Sequence, residues 1–231
     1  MAGGDPATVD AVREVIEAGG NAVDGAVAGV FTAMVAESTL TSAGGGGVMM
    51  VYPADGEPVV FDFFTDMPTG CASGEDIDFF RVTVDFGPAT QDFHIGRGAA
   101  GVPSNVAGLL HAQERLGRLK LKAVLAPAIR AAGKGIPISG QQAKFVKMLA
   151  PILTHESSGQ ALYAPEGKLL EEGDRIVMPE FAVFLEELAI EGSRMFYHGE
   201  TARLIADWAK AGGLIQQCDL ENYRVQERKP L

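Results

Sequence analysis

The polar side chains that could do chemistry in this sequence cluster at the end of one predicted strand. Asp62, Thr65 and Asp66 follow a run of valine and phenylalanine residues, and polar groups at a strand end can form a binding or catalytic site. The same residue types are also typical of turn caps, and both interpretations stay open. The chain has no Gly-x-Ser-x-Gly elbow and no Cys–His arrangement with a local signature. Residue chemistry alone therefore shows no complete catalytic machinery.

A metal site is not indicated by the histidines. The four histidines are His94, His111, His155 and His198. None stands at metal-ligand spacing from another or from a cysteine pair. We therefore expect each to be a surface or hydrogen-bonded residue, and we expect no metal and no cofactor.

Four consecutive glycines, at positions 44–47, precede the strands that lead to these polar residues. A phosphate loop would need Lys-Ser or Lys-Thr after the glycines and then a helix, and a dinucleotide fingerprint would need a strand before them. Here Val48-Met49-Met50 follows, and no basic residue lies between positions 44 and 52. We favour a close approach of the backbone to a core or an active site, where a side chain would clash. A nucleotide-binding protein is only the third hypothesis.

A buried β-hairpin is predicted to position the strand-end residues. Its first strand covers residues 48–52, Asp55-Gly56 forms the turn, and the second strand covers residues 59–64. Before the glycines, one helix begins at Asp5-Pro6 and ends at Gly19-Gly20. A second helix, capped by Asn21 and running over residues 22–36, is apolar on all sides and is predicted to be buried.

The remainder of the chain is predicted to be mostly helical. Helices are predicted over residues 104–116, 119–132 with an interruption near Pro127, 139–149, 180–191 and 200–210. Residues 71–98 are expected to be irregular because glycine, proline and aspartate are scattered through them, and residues 154–172 are expected to form a loop.

Composition excludes several classes of function. The chain has 231 residues, 47% of them hydrophobic, and a formal charge of −11, so it can bury a core and is not suited to nucleic acid. Cys71 and Cys218 could form one bridge or none. No apolar run has the length of a membrane span. The N-terminal residues lack a secretory pattern, so we expect a cytoplasmic protein, or a periplasmic or secreted one if a leader has been removed.

Several sequence blocks together resemble the large subunit of the γ-glutamyltranspeptidase family in order and spacing, over nearly the whole chain. The blocks are Gly19-Gly-Asn-Ala-Val-Asp24, Ser42-Ala-Gly-Gly-Gly-Gly-Val-Met49, Phe61-Asp-Phe63 with Pro68, Gly101-Val-Pro-Ser-Asn-Val-Ala-Gly108, Leu125-Ala-Pro-Ala-Ile-Arg130, Phe196-Tyr-His-Gly199, and Gly212-Gly213 with Asp219-Leu220 and Tyr223. Such a set is more specific than any single glycine run.

The resemblance implies an α+β fold of the N-terminal-nucleophile hydrolase type, a four-layer α-β-β-α sandwich to which this chain supplies a helix-rich large-subunit part. It implies a precursor that cleaves itself into a heterodimer. The N-terminal threonine of the small subunit would be the nucleophile and its α-amine the base. The partners implied are that small subunit and a small-molecule acyl amide, and no catalytic residue is expected in this chain.

Two departures from the family pattern matter. The Thr-Thr-His start of a small subunit is absent, and the chain stops at Leu231, before the family's large subunit normally ends. We therefore expect residues 1–231 to be a single domain, a partial or processed large subunit. Second, Phe64 and Thr65 stand where the family has Arg-Glu; that arginine binds the α-carboxylate of the γ-glutamyl group.

The substitution at residue 64 leads to a hypothesis about the substrate. Phenylalanine cannot pair with a carboxylate, so we expect an acyl pocket, lined by Phe64, Thr65 and Asp62, that prefers donors without that carboxylate, as in members resembling cephalosporin acylases. Arg81 or Arg97 could instead restore the charge. The alternatives are an ordinary γ-glutamyltransferase or glutathione hydrolase with relocated carboxylate recognition, and a non-catalytic family member that acts as a binding protein.

Overall fold

The computed structural model describes residues 2–71 and 76–230. These residues form ten α-helices, seven strands and two short 3₁₀ turns. The helices are α1 (Pro6–Glu17), α2 (Ala22–Ala36), α3 (Asn105–Leu116), α4 (Leu121–Lys134), α5 (Gly140–Leu153), α6 (Ser157–Tyr163), α7 (Pro179–Glu191), α8 (Ser193–His198), α9 (Glu200–Ala209) and α10 (Gln217–Asn222). The strands are β1 (Gly47–Val51), β2 (Val59–Phe63), β3 (Phe80–Asp85), β4 (Thr90–Ile95), β5 (Ile136–Pro137), β6 (Arg175–Ile176) and β7 (Gln226–Arg228).

A three-stranded antiparallel sheet in the order β1-β2-β7 carries the candidate site. The predicted hairpin is confirmed, with Val48 opposite Asp62 and Val51 opposite Val59. Strand β7, which the sequence analysis did not predict, pairs with the other edge of β2 and places Gln226 opposite Asp62. The end of β2 therefore lies between two strands that are far apart in sequence.

The hairpin is buried on one face only, so the prediction of a buried hairpin was half wrong. Phe61 and Phe63 are almost fully buried beneath the sheet, whereas Val48 and Met50 are each 59% exposed on the opposite face. Successive side chains of a strand point to opposite faces, and helices cover only the face that carries the phenylalanines. We call the other face the outer face of the sheet; it carries Val48, Met50, Val60, Asp62, Gln226 and Arg228.

The two N-terminal helices form as predicted because their caps are present. The Asp5 side chain accepts a hydrogen bond from the backbone N–H of Ala7 at 2.9 Å. Asn21 and Asp24 form a reciprocal capping box at the start of α2, which satisfies two backbone N–H groups that would otherwise lack partners. Helix α2 is buried along most of its length, with Phe31 fully inaccessible.

The prediction that residues 71–98 are irregular was wrong for most of the segment; residues 72–75 lie outside the described residues. Strands β3 and β4 form a hairpin in which Phe80 faces Ile95 and Val84 faces Gln91. Val84 is buried, while its neighbour Asp85 is exposed. This alternation is the ordinary signature of a half-buried strand, and the scattered glycine, proline and aspartate concealed it.

Two predictions about the helical part were also wrong. Helix α4 continues through Pro127 without interruption. The proline removes one backbone hydrogen bond, but the helix packs against α2 and α7, and this packing outweighs the loss. The segment expected to be a loop, residues 154–172, contains α6 and a 3₁₀ turn at Pro165–Gly167. The short helices α8 and α10 were not predicted.

The core lies between the sheet and the helices. Helix α3 packs against β1 and β2, α2 packs against α3, and α1 and α4 pack against α2. Buried side chains from these elements, among them Val27, Phe61, Leu109 and Leu125, form the larger of two hydrophobic clusters. Among the described helices, none is both long enough and apolar enough to cross a membrane.

Candidate functional site

The glycine loop is fixed against the start of α3. The backbone N–H groups of Ser104 and Asn105 both donate to the carbonyl oxygen of Gly45, at 3.0 and 2.8 Å, and the Asn105 amide donates to the carbonyl of Ser42 at 2.7 Å. A Cβ on Gly46 would lie 2.5 Å from the Ser104 hydroxyl oxygen and 2.9 Å from the Phe63 carbonyl oxygen. The interpretation of the glycines as a close backbone approach is thereby confirmed.

The end of β2 is held by hydrogen bonds to its carbonyl groups. The buried Ser104 hydroxyl donates to the Phe63 carbonyl at 2.7 Å. The Tyr223 hydroxyl donates to the Phe64 carbonyl at 2.9 Å, and burial raises the pKa of Tyr223, so this hydroxyl stays protonated. The N–H of Val102 donates to the Asp66 carbonyl at 2.9 Å. The backbone is thus fixed while the Phe64 side chain remains 69% exposed.

Asp62 has a double role at this strand end. One carboxylate oxygen accepts the backbone N–H of Phe64 at 3.2 Å, and the other accepts Nε of Arg228 at 2.7 Å. The Arg228 hydrogen bond and then the Phe64 N–H lower the pKa of Asp62, so the carboxylate is ionised at neutral pH. The turn-cap interpretation is therefore correct for Asp62, and an ion pair accompanies it.

The sequence-predicted site residues come together at one place. Thr65 is half-buried and lies beside Gly101, where an added Cβ would be 3.3 Å from the Thr65 Cβ. Asp62, Phe64 and Thr65 therefore lie on the last residues of β2 and just beyond, between the glycine loop and the turn before α3. Their contact with an acyl group stays a prediction.

Neither arginine suggested as a replacement for the missing family arginine is free. Arg81 pairs with Asp92 across the β3–β4 hairpin at 3.3 Å. The guanidinium of Arg97 lies over the Trp208 ring, 5.5 Å from its centroid, and donates to the carbonyl of Ala211 at 3.3 Å. Sequence reasoning missed Arg228 because β7 has only three residues, all of them polar and exposed, and so shows no hydrophobic alternation.

The histidines lie apart from one another and contact different groups. His111 contacts Glu227 at 2.8 Å. The His94 ring stacks on Phe79, and the His155 ring lies tilted against Phe80; in both pairs the ring centroids are 4.7 Å apart. Over residues 2–71 and 76–230 there is no group of three or more acidic, cysteine or histidine side chains that could hold a metal ion. Cys71 and Cys218 are both exposed and unbridged.

Two clefts meet at Gly44, at the start of the glycine loop. One, of about 560 Å³, lies between the end of α2, α6 and the start of α7. The other, of about 510 Å³, lies between α9 and the segment from Ala100 to Pro103 and is lined mainly by apolar side chains, including Leu204 and Trp208. Both volumes fall within the range of small-molecule sites, about 300–1,000 Å³.

A family model for γ-glutamyltranspeptidase matches residues 8–231, nearly the entire chain. The chain belongs to the γ-glutamyltranspeptidase family. Among curated relatives, an acylase ACY 1 proenzyme from Pseudomonas sp. is 34% identical over 229 residues, which is 98% of this chain and 41% of the relative. A glutathione hydrolase proenzyme from Pseudomonas aeruginosa is 33% identical over 94% of this chain and 38% of its own length.

Solved structures agree with this membership. A γ-glutamyltranspeptidase from Helicobacter pylori superimposes with a TM-score of 0.85 at 32% identity, over 100% of this chain and 65% of that chain. The expected α+β fold of the N-terminal-nucleophile hydrolase type, with many helices, is thereby confirmed. This chain spans about two fifths of the length of the curated relatives it matches.

Proposed function

We propose that residues 1–231 form a single domain, part of the large subunit of a γ-glutamyltranspeptidase-like acyltransferase or amidohydrolase. The nucleophile of the complete enzyme would be the N-terminal threonine of a small subunit, and the substrate a small-molecule acyl amide. The observation that carries this proposal is the family match over residues 8–231. Both curated relatives described above are named proenzymes, which supports a processed precursor.

The exposed face of the sheet supports a partner subunit. Strand β1 pairs only with β2 among the described strands, so its other edge is open. The outer face presents Val48 and Met50, and Phe64 and Met67 beyond the strand end are 69% and 84% exposed. An open strand edge next to exposed apolar side chains is a site for added strands. We therefore propose that the small subunit covers this face and completes the sandwich.

The chemistry of the complete enzyme would follow from that arrangement. The threonine hydroxyl attacks the amide carbonyl, its α-amine takes the hydroxyl proton, and the amine leaves with that proton. The acyl-enzyme ester is then transferred to water or to an acceptor amine. In this scheme Phe64, Thr65 and Asp62 form one wall of the acyl pocket, because they lie together at the end of β2.

The residue at position 64 bears on the donor. A guanidinium holds a carboxylate through paired hydrogen bonds, whereas the Phe64 ring offers only apolar contact. We therefore propose that the preferred donor has no carboxylate facing residue 64. The second candidate is a pocket that binds a donor carboxylate at another position. Arg228 favours this candidate, because its hydrogen bond to Asp62 holds it near this strand end.

The first test is the intact mass of the complete protein, with N-terminal sequencing of each chain on a denaturing gel. A second chain that begins with threonine supports the proposal. A single unprocessed chain that hydrolyses no amide supports the non-catalytic alternative instead.

The second test addresses residue 64. The complete enzyme should hydrolyse an uncharged butyryl anilide with a higher kcat/KM than γ-glutamyl anilide. Phe64→Arg should raise kcat/KM for γ-glutamyl anilide by about 10- to 100-fold, the value of a charge-assisted hydrogen bond. Met67→Arg is the matched control, since it adds the same charge three residues away at a more exposed position. If the wild-type enzyme prefers γ-glutamyl anilide, the donor hypothesis is wrong.

A further inference from the structure

Arg228 is anchored beside the predicted acyl pocket by one of its nitrogens. It lies on the outer face of β7, on the same face as Asp62, because Asp62 is directly opposite Gln226 and Arg228 follows two residues later. Its Nε donates to the Asp62 carboxylate at 2.7 Å, and the same carboxylate accepts the N–H of Phe64. A single carboxylate therefore links the guanidinium to the backbone of residue 64.

The two Nη atoms of the Arg228 guanidinium have no hydrogen-bond or ion-pair partner within the described chain. No hydrogen bond or ion pair from residues 2–71 or 76–230 reaches its two Nη atoms, and its side chain is 61% exposed. Those two nitrogens carry four N–H donors in one plane, a geometry that matches the two oxygens of a carboxylate. The hydrogen bond at Nε restricts the directions in which the two Nη atoms can point.

The location of this ion pair sets it apart from the other surface pairs. Val48 and Met50 flank it on the same outer face, which the proposed small subunit would cover. Covering a charged pair removes it from water, which is unfavourable unless the charges gain further partners. By contrast, Arg115 and Glu227 pair at 3.0 Å on the opposite face of β7, where α3 lies, so they do not need such a partner.

We propose that Arg228, rather than residue 64, binds a carboxylate of the acyl donor; this inference rests on the proposed function. Asp62 lies near the end of β2, and Phe64, two residues later, directly follows the strand, so the guanidinium is displaced from position 64 by about 7 Å. A carboxylate bound there stands at a different distance from the reacting carbonyl than one bound by an arginine at position 64. The substrate class is therefore an amide whose acyl group ends in a carboxylate at that displaced position.

The test compares two series of anilides on the complete two-chain enzyme. One series contains monoanilides of straight-chain dicarboxylic acids with four to seven carbons, and the other contains the uncharged monocarboxylic anilides of the same lengths. The measured quantity is the ratio of kcat/KM for the charged donor to that for the uncharged donor at each length. The variants are Arg228→Gln, Arg228→Lys and the control Arg115→Gln.

We expect the ratio to peak at one chain length in the wild-type enzyme. Arg228→Gln should lower the peak ratio by about 10- to 100-fold, and Arg228→Lys, which keeps the charge but not the planar fork, should lower it less. Arg115→Gln should leave the profile as in the wild type. A role that only orders Phe64 through Asp62 would lower both series equally at every length, and that result would overturn the proposal.

Two further outcomes separate this proposal from the function on which it rests. If Arg228→Gln weakens association of the two chains and not the ratio, the guanidinium pairs with the partner subunit and the proposal is wrong. If the wild-type protein hydrolyses neither series, the proposed function is wrong. Calorimetric binding of the free dicarboxylates then tests separately whether Arg228 binds a carboxylate. Binding that Arg228→Gln weakens and Arg115→Gln does not supports the site, whereas equal binding by all three proteins refutes it.

Discussion

The contact between Gly108 and Phe63 gives the sharpest test of how α3 positions the candidate site. A Cβ added to Gly108 would lie 1.9 Å from Cγ of Phe63 and 2.5 Å from its Cβ, whereas carbon atoms pack at about 3.5–4.0 Å. Rotation of the ring cannot relieve a clash with the Phe63 Cβ, so α3 and β2 must move apart. We therefore take the upper end of the overpacking range, about 3 kcal/mol.

The expected net effect of Gly108→Ala is smaller, because alanine favours a helix over glycine by about 1 kcal/mol. The remaining destabilisation of about 2 kcal/mol corresponds to a fall in Tm of about 4–8 °C for a cooperative unit of about 150–250 residues, and to a smaller fall where the complete protein unfolds as one larger unit. The measurement is thermal unfolding of the complete protein followed by circular dichroism.

The control for this prediction is Gly133→Ala in α4. There the nearest atom to the added Cβ is the Cβ of Ala182 at 3.6 Å, an ordinary contact. This variant should raise Tm, because only the helix propensity changes. If Gly108→Ala is as stable as Gly133→Ala, the close approach of α3 to β2 does not exist as described. Because Phe64 directly follows Phe63, Gly108→Ala should also lower kcat/KM.

Three further predictions concern buried or charged groups. Ser104→Ala removes the hydroxyl that donates to the Phe63 carbonyl and should destabilise the protein by about 1–3 kcal/mol in urea unfolding; a change below about 0.5 kcal/mol would contradict this. Asp24→Asn should destabilise the protein by a similar amount. One oxygen of the buried Asp24 carboxylate accepts the N–H groups of residues 21, 118 and 119, and the other accepts the Gln113 amide. An asparagine amide has only one accepting atom and cannot replace both oxygens, so a variant as stable as the wild type would contradict that account. Arg228 and the Phe64 N–H lower the pKa of Asp62. The contribution of this carboxylate to stability is therefore complete above about pH 4 and is lost as the pH falls through the lowered pKa. Asp62→Asn should lose less Tm than the wild type between pH 5 and pH 2, and identical profiles would refute the role of the ion pair.

Local signals in the sequence were sufficient where one residue type dictates the backbone. Asp5 and Asn21 as caps, Gly19 as a stop and Asp55-Gly56 as a turn each have a defined stereochemical role, and α1, α2 and the β1–β2 hairpin form at the predicted places. Where two signals conflicted, the interpretation failed. In β3 the alternation of Phe80, Val82 and Val84 indicates a strand, but the neighbouring glycine, proline and aspartate residues led to a prediction of irregular structure. In α4 the presence of Pro127 led to a predicted interruption, although the helix is stabilised by its packing.

The candidate site shows a different limit. Asp62, Phe64 and Thr65 are adjacent in sequence, so their proximity could be predicted. Arg228 could not be assigned to them, because its position depends on a register between strands separated by more than 150 residues, with Asp62 opposite Gln226. Three polar residues with no hydrophobic pattern carry no local information about such a pairing.

The glycine loop, α3 and the outer face of the sheet are linked by one physical requirement. The strand end must be rigid from beneath if its exposed side chains are to present a defined surface above. Gly46 and Gly108 allow the backbone and α3 to approach Phe63 at distances that no side chain would permit, and Ser104 and Tyr223 fix the carbonyls of residues 63 and 64. The glycines therefore contribute to substrate recognition indirectly, because the close packing that they allow restricts backbone motion on the buried face. As a result, Phe64, Asp62 and the Arg228 guanidinium keep defined positions on the face that we propose contacts the small subunit and the acyl donor.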